Sequence, residues 1–305
     1  VAAAPEGSVL VVCDYGRGTI SLVDLASGEE RKRFPSMGQP YFAAVTPDSS
    51  LAVVGNLTPA VPSIDPAASA AVTLVSLAEA RVVKHIRLLD GSSNVREIAI
   101  SPDGKYAFVA HTRGRVALPT TQLERGWVNT NALSILDLEK REHYATVLLD
   151  YLMEGAADPW GVALSADGGT AWISLAGVHE VARLDMRRLI SMLAGGEDLS
   201  NMGKPESYTG SAAVVWNKVK EDSANRSLIA HHLSALYGAG LIGRHDTATR
   251  CPRGIALSPD GAVLAVGGYY AGEVVLLDPA APDIPCRRIA LGEQPEMTVE
   301  RHGEA

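Results

Sequence analysis

The sequence predicts an all-β protein built from repeated four-stranded antiparallel sheets, and three observations support that prediction. An acidic hairpin turn recurs with a period of about 42 residues where no insertion intervenes. The strands on either side of each turn alternate apolar and polar residues, as half-buried strands do. Each such pair is followed by a third strand that ends in Asp or Ser and by a basic fourth strand. Small sheets repeated in this way are typical of a β-propeller, in which every sheet is one blade.

The hairpin turns define five recognisable blades. The turns are Pro5-Glu6-Gly7, Pro47-Asp48-Ser49, Pro102-Asp103-Gly104, Ala166-Asp167-Gly168 and Pro259-Asp260-Gly261. Proline fixes φ at the first central position of such a turn, aspartate accepts a hydrogen bond from its own backbone, and glycine takes the positive φ. The residues Ile255, Leu257, Val263 and Ala265 show the expected alternation around the last turn.

Two blades are predicted to have long loops. In blades two and three, the loop between the second and third strands is longer than in the other blades, by about 10 and 16 residues. Long loops on a rigid scaffold are a common place for binding residues. We therefore look for function at the end of the blades where these loops emerge, together with the segments that enter each first strand.

A larger insertion, of about 50 residues, follows Asp185 at the end of blade four's third strand. Leu189, Ile190 and Leu193 predict a short helix that ends at Gly195, and residues 195–211 predict a loop. A second set, Ile229, Leu233, Leu236 and Tyr237, falls on one face at helical spacing. We expect a propeller over residues 1–294, a helical insertion at about 186–240 that packs on its side or rim, and a linker over 295–305.

The composition excludes some classes of function. The 305-residue chain has a formal net charge of −8, so it offers no basic face to a nucleic acid. No apolar run approaches the ~20 residues that a transmembrane helix needs. We expect neither a nucleic-acid partner nor a membrane span.

The three cysteines fit no metal or haem motif. Cys13 lies in a predicted strand, where we expect a small buried side chain. Cys251 and Cys286 could form a disulfide in an oxidising compartment, although they lie at different stages of the repeat, and the sequence leaves their pairing open.

The segments SPDGKYAFVAH, SPDGAVLAVGG and GEVVLLDP resemble the YVTN-type β-propeller repeat, which is related to the lactonase-like and cytochrome-haem-like propellers. A narrower resemblance covers residues 118–138, 155–168 and 235–261. These segments are similar to bacterial exported proteins in which a YVTN propeller precedes a c-type cytochrome domain of the di-haem peroxidase kind. The closing segment LGEQPEMTVERHGEA is similar to the junction of that family, with its Arg-x-Gly-Glu sequence at Arg301, Gly303 and Glu304.

This resemblance implies a seven-bladed ring and a periplasmic or extracellular location in a bacterium. It also implies that haem c is bound by a domain beyond Ala305, with no cofactor in the present residues. The sequence departs from the family in showing five blades. Five blades can close into a ring, or they can form an arc that is part of a seven-bladed ring, which is the arrangement that the resemblance favours.

The predicted topology brings a polar, aromatic and partly cationic set of residues to the end of the blades with the long loops. The candidate ligand- or partner-binding residues are Tyr15, Arg96, His111, Arg113, Trp127, Asn129, Asn131, Trp160, His179, Arg253 and Tyr269. No catalytic residue and no metal site is predicted from the sequence.

Two subsets of these candidates allow more than one interpretation. His111 and His179 occupy the same place after the second strand of their blades, either as ligands or acid–base groups at a central channel, or as structural histidines bonded to the backbone. Arg96, Arg113 and Arg253 could bind a carboxylate, a haem propionate or an acidic patch of a partner through bidentate bonds, or could each anchor their own loop.

The function that we predict is a non-catalytic binding or scaffold propeller of an exported redox protein. It would present its long loops to a c-type cytochrome domain or to the substrate of that domain, a small molecule or a protein. The alternatives are a metal-assisted, lactonase-like hydrolase with its site at the channel mouth, and a surface recognition propeller without a redox partner.

Overall fold

The computed structural model describes residues 1–62, 64–65, 67–115, 128–196 and 210–293. These residues form five antiparallel sheets, which we call blades 1 to 5. Blade 1 contains β1 (Ala2–Ala3), β2 (Val9–Asp14), β3 (Thr19–Asp24) and β4 (Glu30–Pro35). Blade 2 contains β5 (Pro40–Val45), β6 (Leu51–Asn56), β7 (Ala71–Ser76) and β8 (Arg81–Arg87).

Blade 3 has a fifth, two-residue strand. It contains β9 (Ser92–Ser93), β10 (Ile98–Ile100), β11 (Tyr106–Gly114), β12 (Asn129–Asp137) and β13 (Glu142–Leu148). Blade 4 contains β14 (Pro159–Leu164), β15 (Thr170–Leu175), β16 (Glu180–Asp185) and β17 (Ile242–Asp246). Blade 5 contains β18 (Pro252–Leu257), β19 (Leu264–Gly268), β20 (Glu273–Leu277) and β21 (Pro285–Ala290). In every blade the strands pair in chain order, apart from β9, which pairs with β11. This is the propeller-like, all-β architecture that the repeat predicts.

Apolar clusters join successive blades face to face. Representative buried pairs are Val11 and Val54 between blades 1 and 2, Val53 and Val109 between blades 2 and 3, Ile135 and Ile173 between blades 3 and 4, and Trp172 and Val266 between blades 4 and 5. Within the described residues, no apolar cluster joins blade 5 to blade 1. On the side of blade 5 that faces away from blade 4, Ala256 is exposed and Leu276 is half-buried.

The two ends of the blades differ in their connections. The acidic hairpin turns lie at one end, which we call the turn face. Strand-one entries and strand-two exits meet at the other end, which we call the loop face. There, Leu57 N–H donates to Gln39 O at 2.7 Å and Thr247 N–H donates to His179 O at 3.1 Å. Both backbone bonds lie within one repeat, and they extend the strand pairing of blade 2 and of blade 4 into the loop face.

The insertion follows β16, as the spacing predicts, but its helices differ in detail from the prediction. It contains α1 (Met186–Leu193), α2 (Gly210–Glu221), a 3-10 helix (Ser223–His231) and α3 (Ala235–Gly238). The predicted loop over 195–211 therefore ends where α2 begins, and α2 itself was not predicted. The helical face expected from Ile229 to Tyr237 is also not continuous, because His232 takes an extended conformation and ends the 3-10 helix.

The insertion packs against the outer strand of blade 3. The Arg226 guanidinium lies 4.4 Å from the centre of the Tyr144 ring, and its Nε–H donates to Tyr144 O on β13 at 2.8 Å. Inside the insertion, Trp216 is fully buried and its indole N–H donates to Ala235 O at 2.8 Å. The helices thus form one unit with the side of the propeller.

The described cysteine sulfurs are unpaired. Cys251 is buried and its thiol is free, and the side chain of Cys286, the partner that the sequence left open, lies outside the described part of the chain. Cys13 lies in β2, and burial raises the pKa of its thiol to about 11. Among the described residues, no helix has the length and apolar character needed to span a lipid bilayer.

Candidate functional site: a cation–aromatic row on the loop face

Four of the blades place a large side chain at the same point, where the first strand begins. The four pairs of residues at this point are Pro40-Tyr41, Val95-Arg96, Pro159-Trp160 and Pro252-Arg253. Three of the four have proline before the large residue, which favours an extended entry into the strand. Because equivalent positions of successive blades lie next to each other around a propeller, these side chains meet on the loop face.

The side chains stack as alternating rings and guanidinium groups. The Arg96 and Arg253 guanidiniums each lie 4.1 Å from the centre of the Trp160 ring. Arg253 also lies 3.7 Å from the Tyr269 ring, and Arg96 lies 5.5 Å from the Tyr41 ring. All these distances are within the range of cation–π attraction. We call these five residues the cation–aromatic row.

Two further tyrosines extend the row at its ends. The Tyr15 ring packs edge-on against Tyr41 with a centroid distance of 6.4 Å. The Tyr270 ring lies 5.3 Å from Tyr269 in a similar edge-on arrangement. Tyr15 and Tyr269 are 46% and 61% exposed, so both ends of the row are open to solvent.

A buried hydroxyl fixes the spacing between Trp160 and Arg253. Ser174 Oγ accepts a hydrogen bond from Gly161 N–H and donates one to Arg253 O, both at 2.7 Å. A Cβ atom at Gly161 would lie 2.5 Å from Arg253 O, so this close approach of β14 to β18 requires glycine. Ser174 and Gly161 therefore position the row without touching its outer surface.

The two arginines of the row have no carboxylate partner among the described residues. Their Nε–H groups are buried and lack a hydrogen-bond acceptor in this part of the chain. A guanidinium keeps its charge at neutral pH, so the row holds two cations whose contacts within the described ranges are with aromatic faces.

Glu97 lies next to Arg96 in the chain, but its carboxyl group points into the boundary between blades 3 and 4. Burial raises the pKa of Glu97 to about 7, although a hydrogen bond from Val162 N–H opposes the shift. A carboxyl group with this pKa is about half protonated at neutral pH.

His111 and Arg113, two of the candidates, are internal. His111 is fully buried, with Nε2 2.7 Å from Ser134 Oγ and Nδ1 3.0 Å from Thr112 O. Burial lowers the pKa of His111 to about 4. Arg113 is 7% exposed and donates to Asp90 O at 3.1 Å and to Ala230 O at 2.8 Å. The ring nitrogens of His111 and the guanidinium of Arg113 are thus used inside the fold.

Asn131 joins two segments below the loop face. Its backbone and side-chain N–H groups donate to the buried Asp150 carboxylate at 2.6 and 2.8 Å. Its side-chain oxygen accepts from Asp158 N–H at 3.1 Å. Asn131 therefore anchors the segment that leads into β14 and carries Trp160.

Two other candidates, Asn129 and His179, lie apart from the row. Asn129 is exposed at the start of β12. His179 has a φ of 64°, and its Nδ1 accepts from Cys251 N–H at 3.1 Å, so it links blade 4 to the entry of blade 5. Trp127 lies outside the described residues. Within the described ranges, no group of three or more His, Cys, Asp or Glu side chains is arranged to hold a metal ion.

The structure thus brings together five of the predicted residues, namely Arg96, Trp160, Arg253 and Tyr269 in the row and Tyr15 at its end, and adds Tyr41, which sequence reasoning missed. A signal for Tyr41 was present, because it follows Pro40 at the repeat position of Trp160 and Arg253. The positioning role of Ser174 had no comparable signal, since it depends on a contact between blades.

No family model matches the chain. A search of curated proteins finds hydrazine synthase subunit beta of Kuenenia stuttgartiensis, 26% identical over 259 residues. The alignment covers 85% of the present chain and 58% of that subunit, so the chain spans less than two thirds of its relative.

Two of the solved structures found by comparison have the same fold at low sequence identity. A functionally unknown protein of Desulfotomaculum acetoxidans has a TM-score of 0.56 at 15% identity, covering 94% of this chain and 67% of its own. The dihydro-heme d1 dehydrogenase NirN, in complex with DHE, has a TM-score of 0.54 at 19% identity, covering 96% of this chain and 46% of its own. The structure of the Kuenenia stuttgartiensis hydrazine synthase has a TM-score of 0.49 at 19% identity, and the alignment covers 92% of this chain and 95% of that chain.

Proposed function

We propose that this chain is a non-catalytic binding propeller of an exported bacterial redox protein, in the periplasm or outside the cell. Its loop face would hold a c-type cytochrome domain or the substrate of that domain. The observation that carries the proposal is the cation–aromatic row, in which Arg96 and Arg253 remain charged without an acidic partner among the described residues. The similarity to a subunit of hydrazine synthase supports a role within a larger redox assembly.

The row has the properties of a protein-binding surface. Aromatic and arginine side chains are the residues that most often dominate binding energy at interfaces. The chain as a whole has a net charge of −8, so the two uncompensated cations are a local exception that an acidic partner would recognise. In this proposal haem c belongs to the partner domain, and the residues of this chain bind and orient that domain.

Binding of a c-type cytochrome tests the proposal. We expect calorimetric titration of the chain with a c-type cytochrome of the same bacterium to show micromolar binding that weakens as salt is raised. The double variant Arg96→Gln/Arg253→Gln should weaken binding at least tenfold, because charge-assisted hydrogen bonds are lost.

Arg187→Gln is the matched control, because Arg187 lies on the turn face and pairs with Asp167 at 2.9 Å. It should leave cytochrome binding unchanged. Equal binding by the double variant and the wild type would contradict the proposal, as would turnover of a substrate by the chain without haem.

We also propose that residues 1–294 are part of a seven-bladed ring and that residues 295–305 lead to the cytochrome domain. The uncovered side of blade 5 supports this, because Ala256 is exposed on a sheet whose opposite side is buried against blade 4. A cysteine at Ala256→Cys should react with a thiol reagent in the 305-residue chain and be protected in the full-length protein. Ser27→Cys, in an exposed turn, should react in both.

A further inference from the structure

The arginines of the cation–aromatic row differ from other buried arginines in how they are used. Arg113 donates to two backbone carbonyls, and Arg244 pairs with the Glu180 carboxylate. Arg96 and Arg253 instead rest on ring faces, and the Nε–H of each is buried without an acceptor among the described residues. Burying a charged donor without an acceptor costs free energy. An arginine with a purely structural role would avoid this cost by donating to an acceptor inside the fold.

The geometry sets the distance between the two charges. Two guanidinium groups that each lie 4.1 Å from the Trp160 centroid have most room on opposite faces of the indole, and we place them there. This agrees with their origin, since Arg96 enters from blade 3 and Arg253 from blade 5, on either side of blade 4. Their central carbons are therefore no more than about 8 Å apart, twice the 4.1 Å distance.

We propose that Arg96 and Arg253 form a two-point site for a ligand that carries two carboxylates, seated across the outer edge of Trp160. The inference rests on the proposed function, because it names the chemistry that the loop face would recognise. The planar guanidinium matches a carboxylate in a bidentate geometry, and each arginine takes one carboxylate. A single small anion is too short to reach both groups across the thickness of the ring.

The surroundings of the row favour a dianion over a neutral ligand. Glu97, the nearest acidic residue in the chain, is buried with its pKa raised to about 7, so it does not fully compensate the charge of Arg96. Tyr269 lies 3.7 Å from the Arg253 guanidinium and Tyr41 lies 5.5 Å from that of Arg96, so these ring contacts involve the guanidinium faces and provide no acceptor for the N–H groups. The spacing is held by Ser174, which is fully buried and bonded to both flanking strands.

The two carboxylates could belong to a free dicarboxylate or to neighbouring acidic side chains of a partner protein, and the experiment separates these sources. The chain is titrated by calorimetry with two dicarboxylate probes, glutarate and a short peptide that contains two glutamates. The controls are the same peptide with glutamine in place of both glutamates, and pyrophosphate. We expect glutarate or the diglutamate peptide to bind, and Arg96→Gln and Arg253→Gln each to weaken that binding at least tenfold.

Folding and charge are controlled separately. Circular dichroism and thermal unfolding verify that each variant is folded, and Arg187→Gln on the turn face should bind as the wild type does. Arg253→Lys keeps the positive charge beside Tyr269 but loses the fork of donors, so it should weaken binding by a smaller factor than Arg253→Gln. Trp160 gives an independent readout, because carboxylates seated on its edge should change its fluorescence.

Each outcome decides the inference. Binding of glutarate alone supports it with a small-molecule source, and binding of the diglutamate peptide alone supports it with a protein source. Tighter binding of pyrophosphate, equal binding of the glutamine peptide, or no effect of either Arg→Gln variant would overturn it. If glutarate and the peptide fail while the cytochrome still binds, this inference falls and the proposed function stands; the opposite pattern removes the proposed function alone.

Discussion

The turn face and the loop face shift the pKa values of their ionisable groups in opposite senses: the turn face favours charged forms and the surroundings of the loop face favour neutral ones. On the turn face, hydrogen bonds from the Ser258 hydroxyl and from Ala262 N–H lower the pKa of Asp260. The pKa of Asp48 is lowered in the same way, chiefly by a hydrogen bond from the Thr46 hydroxyl. Near the loop face, burial raises the pKa of Glu97 to about 7 and lowers the pKa of His111 to about 4, so neutral forms are favoured there.

This difference separates structural chemistry from binding chemistry. The turn carboxylates recur because each one closes its own hairpin, and their bonds are satisfied within a few residues. The loop face varies the residue at one repeat position from blade to blade, and it buries the Nε–H groups of Arg96 and Arg253 without a hydrogen-bond acceptor among the described residues. Such local conflicts are expected at functional sites, where stability is given up for binding.

Acidification should produce the largest effect and separate the buried histidines from the turn carboxylates by pH. Burial lowers the pKa of both His111 and His143 to about 4, below their unfolded value of about 6.5. The unfolded chain therefore takes up protons first, and stability falls as the pH drops from about 6.5 to 4, by up to about 3 kcal/mol for each histidine. Urea unfolding at about pH 7, 5.5 and 4.5 measures the loss of unfolding free energy.

The variant His143→Gln isolates this contribution. Glutamine can keep a hydrogen bond to Thr146, which lies 2.8 Å from His143 Nε2, but it does not titrate. Its stability should fall less steeply between pH 6.5 and 4 than that of the wild type. The turn aspartates cannot mimic this result, because groups with a lowered carboxyl pKa lose their contribution only at more acidic pH. Identical slopes in both proteins would contradict the assignment.

Gly161→Ala should have the next largest effect. The added Cβ would lie 2.5 Å from Arg253 O and 2.7 Å from Ile255, so β14 and β18 must move apart. We expect a loss of about 3 kcal/mol in the free energy of unfolding. Gly254→Ala is a matched control, since Gly254 follows Arg253 as Gly161 follows Trp160 and has open space around it. Equal losses in both variants would show that the contact between blades 4 and 5 is not the cause.

Glu97→Gln should stabilise the chain at alkaline pH. The folded pKa of Glu97, about 7, lies above the reference value of 4.5, so its ionisation opposes folding as the pH rises from about 4.5 and reaches its full effect above 7. The variant should therefore be more stable by about 2 kcal/mol at pH 8, allowing for partial exposure, and unchanged at pH 4. Thermal unfolding at both pH values measures the difference. A variant less stable at pH 8 would disprove the neutral preference near the loop face.

Asp260→Asn should have the smallest effect. The side chain is exposed, and asparagine can still accept the hydrogen bonds from Ser258 and Ala262 that close the turn. We expect the melting temperature to fall by no more than about 2 °C and carboxylate binding to stay unchanged. A loss of binding would show that the two faces are coupled, and the contrast between them would no longer hold.

The repeat could be predicted from sequence because its signals are local. Each turn contains its own acidic residue and small residue, and four of the five also contain proline, so hairpins such as the one at Asp103 need no distant partner. The row was predicted in part for the same reason, since Arg96, Trp160 and Arg253 occupy one position of the repeat. The sequence left the role of His111 open between a ligand and a structural histidine, because Ser134, which bonds its ring, is distant in sequence.

The helix α2 shows a different limit of prediction. The apolar residues of α2 do not fall on one face, so the helix is only weakly amphipathic. Its buried residues Trp216 and Val219 pack against other parts of the insertion rather than against one continuous face of the propeller. Periodicity therefore gives a weak signal there. The role of Ser174 likewise depends on a contact with blade 5, which sequence spacing does not reveal.

The insertion also affects how the molecule avoids self-association. The outermost strands β4 and β8 are rich in Arg and Lys, which discourage edge-to-edge pairing with another molecule. The corresponding strand β13 has few charges, and the insertion covers it instead, with Arg226 capping the carbonyl of Tyr144. Replacing the helices with a short loop would leave β13 as an unprotected edge, so blade 3 would become the place where aggregation begins.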